Sequence, residues 1–323
     1  MKKIAIIGAG WIGCHLAQNL KKSNEVYLFD KSGIFSETSH KNQNRLHLGF
    51  HYPRNYNTRK LCYDTFDKFI SQYRDIVFDV KNNIYCIPKD KSLVDFTTYT
   101  NILSHENVWF DKYKLNSIKN IEGALICNEK RIDHTRAKEY FTKQLSEILQ
   151  IQEINVDSLS LLSDEYDYVI NCTNNHIKDD SESSYYELCL TILYNKKKDT
   201  EFDALTMMDG PFFSIYPYQE NIYTITDVEY TPVFKSENII TKQDINIKQY
   251  IDKIEKKIKY FYPNFNNDFE YTDYFLSTKV KKYNQSADRY PVISKEKNII
   301  NCYTGKIQGI YIIEDFINET VNR

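Results

Sequence analysis

With 323 residues, 41% of them hydrophobic, the chain is long enough for two domains and apolar enough for a real core. Its 42 basic and 44 acidic residues leave a net charge of −2 and are mixed along the chain, which excludes the basic footprint of a nucleic-acid binder. The cysteines are odd in number, scattered and without a C-x-x-C pair, which argues against a disulfide framework or a zinc site, so no metal is expected.

Met1-Lys2-Lys3 precedes an apolar run, but glycines interrupt that run and no small-residue cleavage site follows. No stretch approaches the ~18 apolar residues of a membrane span. A cytoplasmic protein without membrane contact is expected. Lys3-Ile4-Ala5-Ile6-Ile7 reads as a buried strand, and Gly8-Ala9-Gly10-Trp11-Ile12-Gly13 follows at once. A helix over Cys14–Lys22 and a strand over Glu25–Phe29, ending in Asp30, complete the unit. Strand, Gly-x-Gly-x-x-Gly, helix, strand and acid in this order are the signature of a dinucleotide site. The first glycine allows the turn, the second admits a pyrophosphate, and the third lets helix and strand pack closely. The helix N-terminus then offers free N–H groups to the phosphates, and Asp30 stands where an acid accepts the ribose hydroxyls.

Lys31 to His51 is polar, with no second βαβ crossover of the kind an NAD(P)-dependent dehydrogenase carries. A helix is predicted over Asn57–Tyr73, with Leu61, Phe66, Phe69 and Ile70 on one face. Ile76–Val80 and Asn83–Ile87 read as two strands around a Lys81-Asn82 turn. Cys127–Asp133 reads as a strand ending at an N-cap, Asp133, before a helix over Thr135–Leu149. Ile151–Val156 and Tyr166–Asn174 read as strands. From about Ser181 to Asp273 aromatic alternation predicts strands at Tyr185–Tyr194, Pro211–Tyr218 and Ile222–Tyr230. A helix over Ile245–Phe261 turns Ile251, Ile254, Ile258 and Phe261 inward. Asp227 and Glu229, two apart on one strand, share a face and are expected to meet water rather than a cationic substrate.

The glycine unit, the polar loop and its His47-Leu48-Gly49-Phe50-His51-Tyr52 ending, with Lys60-Leu61-Cys62 beyond, resemble the FAD-dependent oxidoreductases of the D-amino-acid oxidase (DAO) superfamily. The nearest local likeness is to the 2-hydroxyglutarate dehydrogenases, with the glycine oxidases in the same group. Tyr168-Val169-Ile170-Asn171-Cys172-Thr173-Asn174 is similar to the family's segment under the flavin diphosphate. Asn174 replaces its usual glycine, and asparagine is the residue best able to keep the left-handed turn. Asp288-Arg289-Tyr290-Pro291-Val292-Ile293 and Thr304-Gly305-Lys306-Ile307-Gln308-Gly309 resemble the closing strand and turn, where a helix N-terminus faces the flavin pyrimidine.

The resemblance implies an α/β (α+β) fold: a Rossmann-like FAD-binding domain of the glutathione-reductase type with an antiparallel substrate-binding sheet. Residues 1–75, 131–180 and 285–323 would form the first, and 76–130 and 181–284 the second. FAD, held non-covalently, would contact Gly8, Gly10, Trp11, Ile12, Gly13, Asp30, Lys31, Asn44, Arg45 and Leu46. Further contacts would come from the backbone of Val156 at the adenine and from Cys172, Thr173, Gly305, Lys306, Gln308 and Gly309. His47, His51 and Tyr52 would line the substrate side, or serve as helix-start and packing residues. Arg289 or Lys306 would anchor an anionic group, or remain surface charges. Phe213 and Tyr216 are candidate pocket walls, and Lys279, Lys281 and Lys282 candidate cations near the flavin. The implied activity is hydride removal from a C–H bond alpha to an amine or hydroxyl of a small or sugar-linked metabolite. An NAD(P)-dependent dehydrogenase, a flavin-dependent sugar-nucleotide mutase and a non-catalytic nucleotide-binding protein are the alternatives. A mutase would need several arginines around a diphosphate, and the whole chain has eight.

Overall fold

The computed structural model describes residues 1–106, 108–177, 184–240, 243–283 and 288–322. The expected domain boundaries at 180/181 and 284/285, and Ser181, lie outside these residues. A six-stranded sheet runs in the order Val292–Glu296, Ile299–Tyr303, Tyr168–Asn171, Lys3–Ile7, Glu25–Asp30, Leu149–Ile151. It is parallel except at Val292–Glu296, which runs antiparallel to its neighbour. The first strand is central, and Ile4, Ala5 and Ile6 are fully buried there, as a strand covered on both faces requires.

A nine-stranded sheet takes its strands from 83–127 and 184–282. Its pairs are antiparallel apart from Asn83–Pro88 beside Ala204–Met207. A small sheet, Arg45–Leu46, Lys130–Ile132 and Val77–Asp79, lies between the two in the chain order. Two of the apolar clusters are large. One surrounds Trp11, whose ring lies 4.9–5.6 Å from those of Phe35, Phe69, Tyr73 and Phe141. The other packs the Ile247–Phe261 helix on the large sheet through Ile254, Ile258 and Phe261, with Ile251 half-buried beside them.

Several predicted elements move. Val77–Asp79 and Asn83–Pro88 do not pair with each other but enter different sheets, so Lys81-Asn82 is no hairpin turn. The helix after Asp133 is His134–Leu145, and Leu149 already opens the edge strand. That strand ends at Ile151, and Val156, predicted as a strand residue at the adenine, instead opens the helix Val156–Glu165. The physical reason is Asn155, whose side chain accepts from Ser158 N–H at 2.8 Å and caps the helix. Ile222–Tyr230 stops at Asp227 because its carboxylate accepts the N–H groups of Glu229 and Tyr230, both at 2.9 Å, and folds the chain into a turn. Asp227 and Glu229 therefore do not face water together. Asp227 is buried, and Lys257 Nζ lies within 3.1 Å of both carboxylates.

Phe69 is fully buried between Trp11 and Tyr73, and its helix, Tyr56–Gln72, carries the loop of His47–Tyr52 on its N-terminal side. Phe69→Ala is expected to cost about 3–5 kcal/mol by lost contact and cavity formation, read as a shift in the midpoint of urea unfolding.

Candidate active site

At the end of the first strand the backbone is packed too closely for side chains. Gly8 sits at φ +98°, and a Cβ there would meet Cys172 O at 2.8 Å. A Cβ on Gly13 would lie 1.9 Å from Gly8 O, so the helix Trp11–Leu20 rests directly on the strand that feeds it. Asp30 holds the opposite side of this turn. One carboxylate oxygen accepts Ala9 N–H and the other accepts Ser32 and Gly33 N–H, all at 2.8 Å. The oxygen that accepts Ala9 N–H keeps a further lone pair for a ribose hydroxyl. Lys31 beside it is exposed. Asn174 adopts φ +55°, so the turn after Tyr168–Asn171 keeps its left-handed residue without glycine. This cradle, with an acid at its rim and a helix N-terminus at its base, fits a dinucleotide such as FAD.

A cleft of about 460 Å³ runs from this cradle to the large sheet. Of the candidate cofactor residues, Gly10, Trp11, Ile12, Asn44, Arg45, Cys172, Gly305 and Lys306 line it, and all four catalytic candidates, His47, His51, Tyr52 and Arg289, line it too. The far wall is Met207, Phe212, Phe213, Ser214, Thr191 and Thr226. Gln43 reaches across, accepting from Ser214 Oγ at 3.0 Å and donating to Thr224 O at 3.3 Å. Tyr216 does not wall the cleft. It is fully buried, its hydroxyl donates to Lys130 O at 3.0 Å, and its ring carries the Arg45 guanidinium at 4.1 Å. Val156 is 63% exposed and stands apart, while Ile151 is the residue paired with Asp30. Gln308 is fully buried, and its Nε2 donates to His47 O at 2.6 Å and Cys62 O at 3.0 Å. Gly309 has Thr304 and Pro291 where a Cβ would go, and Leu46, buried, and Thr173, half-buried, are not among the residues that line the cleft.

The charges explain the chemistry available. His47 Nδ1 lies 3.4 Å from Glu129 Oε2, off the line of a hydrogen bond, and His47 and His51 face each other at 5.7 Å between ring centroids. Burial lowers the His47 pKa to about 4, with Lys306 adding to the shift and Glu129 opposing it. His51 is driven well below its ordinary value, chiefly by burial and then by His47. Both imidazoles are neutral at neutral pH and able to accept a proton. The Lys306 ammonium lies 4.7 Å over the Tyr52 ring, and burial lowers its pKa to about 7, with Arg289 and Arg45 in the same direction and Cys62 against. Of the three lysines Lys279, Lys281 and Lys282, the first two line the cleft, and Lys281 is held 2.5 Å from Glu187.

Two residues escape a reading of the sequence. Glu129 is fully buried and accepts Leu48 N–H at 2.7 Å and the Tyr85 hydroxyl at 2.6 Å. Arg59, also buried, donates to Tyr52 O at 3.0 Å and Pro53 O at 2.7 Å and pairs with Glu106 at 2.6 Å, clamping the His51–Tyr52 loop. One of 44 acids between two strands, or one arginine on a helix, carries no local mark of such a role. Gly13→Ala, whose methyl has no room against Gly8 O, is expected to remove FAD retention; flavin absorbance per mole of purified protein measures this.

The family described as FAD dependent oxidoreductase (DAO) matches residues 3–310. Over 335 residues the chain is 30% identical to the FAD-dependent monooxygenase FPY4 of Fusarium mangiferae, covering 97% of this chain and 89% of that protein. It is 24% identical over 370 residues to the FAD-dependent monooxygenase kojA of Aspergillus flavus, covering 99% and 86%. Its fold is shared with glycine oxidase from Geobacillus kaustophilus, at a TM-score of 0.74 and 12% identity over 100% of this chain and 95% of that one. It is also shared with L-proline dehydrogenase from P. horikoshii, at a TM-score of 0.70 and 14% identity over 99% and 94%. A match running from the first strand to the start of the last helix leaves one assignment: this chain is an enzyme of the DAO family of FAD-dependent oxidoreductases, and its cofactor is FAD.

Proposed function

We propose that the enzyme removes a hydride from a C–H bond alpha to a hydroxyl or amine of a small anionic metabolite, as its local likeness to the 2-hydroxyglutarate dehydrogenases implies. The observation that carries this reading is one cleft in which neutral histidines, His47 and His51, share space with the cations Lys306 and Arg289. Gly8, Gly10, Gly13 and Asp30 would hold the dinucleotide, with Cys172, Thr173, Gly305 and the amides after Lys306 along its length. FAD, bound non-covalently, supplies the two-electron acceptor. Arg289, with Lys306, anchors the substrate's anionic group. A histidine takes the hydroxyl or amine proton. Met207, Phe212 and Phe213 keep water from the reacting carbon.

The same reading divides the chain into a nucleotide half and a substrate half at the boundaries expected from the sequence. It also places the protein in the cytoplasm, where its seven unpaired, buried cysteines stay reduced. No helix of the described residues is long and apolar enough to cross a membrane. The names of the two fungal relatives raise a second reading, in which oxygen enters the product.

The visible spectrum of the purified protein, followed by acid release of FAD and anaerobic bleaching with 2-hydroxy and 2-amino acids, tests the first reading. A protein that neither carries nor reconstitutes FAD but binds NAD(P)H would overturn it, and label from ¹⁸O₂ in the product would favour the second. A pH prediction follows from Lys306. A lysine whose pKa is near 7 loses its charge as the pH rises through that value, so the affinity for a simple anion such as malonate weakens on going alkaline. The expected change is about tenfold between about pH 6 and about pH 9, read by perturbation of the flavin spectrum, and Lys306→Met flattens it.

A further inference from the structure

We propose that Glu129 is a positioning residue that holds His47 in its Nδ1–H tautomer, so that His47 Nε2, and not His51, receives the substrate's proton. This rests on the reading of the cleft given above and deepens it by naming the base.

Glu129 lies between the strands Ile121–Cys127 and Lys130–Ile132 and is fully buried. Leu48 N–H fixes one oxygen of its carboxylate and the Tyr85 hydroxyl fixes the other, at 2.7 and 2.6 Å. The backbone of His47 is pinned on its other side, where Gln308 Nε2 donates to His47 O at 2.6 Å. Between these anchors His47 Nδ1 faces Glu129 Oε2 at 3.4 Å and has no other polar partner among the described residues. An ionised carboxylate only accepts hydrogen bonds, so the nitrogen that faces it carries the proton. Nε2 is then the bare lone pair, on a ring that lines the cleft. Contacts of this kind tighten when substrate closes the site.

His51 has no such device. Among the described residues it makes no hydrogen bond or ion pair, and its ring packs against those of His47, Tyr52 and Tyr85. The groups facing His47 are Glu129, Lys306, Arg45, His51 and Tyr52. Burial alone would raise the Glu129 pKa, but the charge His47 carries once protonated, then Arg45 and the Tyr85 hydroxyl, act against it, and the net shift is downward, keeping the carboxyl ionised. Once His47 takes a proton it becomes an imidazolium beside that carboxylate, which stabilises the new charge. In the reaction the substrate's O–H or N–H proton goes to Nε2. The electrons of that broken bond form the second C=O or C=N bond as the C–H pair departs as hydride, for which bound FAD would be the acceptor. The imidazolium then returns its proton to solvent.

The test uses the FAD-loaded protein labelled with ¹⁵N-histidine, in which seven histidines are few enough to resolve. A His47→Asn variant assigns the His47 signals, and a two-bond ¹H–¹⁵N spectrum reports the tautomer. The expected result is Nδ1–H with Nε2 unprotonated at neutral pH. In Glu129→Gln the carbonyl oxygen stays on Leu48 N–H, so the amide NH₂ faces Nδ1 and donates to it. His47 then switches to Nε2–H, and kcat on any substrate that bleaches the flavin falls about 10²- to 10⁴-fold, with KM moving less than about threefold. Glu129→Asp, which keeps the carboxylate, recovers part of the rate and the Nδ1–H tautomer. Nε2–H in the wild type, or a tautomer indifferent to Glu129→Gln, overturns the proposal. A protein without FAD or a reducing substrate would sink the reading of the cleft, but the tautomer measurement would still decide this one.

Discussion

Everything at the nucleotide end depends on a contact between two pieces of backbone. The helix Trp11–Leu20 can lie on the strand Lys3–Ile7 only because Gly13 offers no Cβ to Gly8 O, and the turn after the neighbouring strand Tyr168–Asn171 can approach only because Gly8 offers none to Cys172 O. Side chains at either place would push the helix N-terminus away from the turn and remove the close, amide-lined surface that a pyrophosphate needs. Asp30 secures this geometry from the second strand by accepting amides on both sides of the turn.

The substrate end is organised by charge. Three acids border the cleft or sit behind it, and each is neutralised within the protein. Glu187 is held by Lys235 and Lys281, Asp227 by Lys257, and Glu129 lies among Arg45, His47 and the Tyr85 hydroxyl. Lys306 and Arg289 have no carboxylate partner among the described residues, so the open charge of the cleft is positive where the histidines are neutral. An anion entering there gains the field of two cations in a poorly hydrated space, where such interactions are stronger than in water. The same low polarity keeps His47 and His51 uncharged and therefore basic in function.

The lock between the two ends is the stretch Asn44–Tyr52. It runs through the short strand Arg45–Leu46, turns at Gly49 with φ +107° against Arg59, and delivers His47, His51 and Tyr52 to the cleft. Gln308, from the far end of the chain, holds it at His47 and ties it to Cys62. A loop that is irregular in sequence is thus fixed by buried donors from residues 7 to 261 positions away.

Local rules made the nucleotide unit readable from sequence. Strand, glycine turn, helix and acid fall within thirty residues, and most of their causes are local: Gly13 against Gly8 O and Asp30 on Ala9 N–H lie inside the unit, and only Gly8 answers to a distant partner, Cys172 O. Asn174 in its left-handed turn and Asp133 at its helix start were legible for the same reason. Where a local signal was weak, distant packing decided the outcome. Val77–Asp79 and Asn83–Pro88 alternate like a hairpin, yet each pairs elsewhere because strands bury their edges wherever a partner is presented. Val156 looked like a strand residue, and the Asn155 cap made it the first turn of a helix. The sequence by itself determined the cofactor unit and put His47, His51, Tyr52, Lys306 and Arg289 forward as candidates. Only the tertiary structure could bring Glu129 to His47, because that contact spans 82 residues of chain and joins a carboxylate with no local signature to a histidine in a loop.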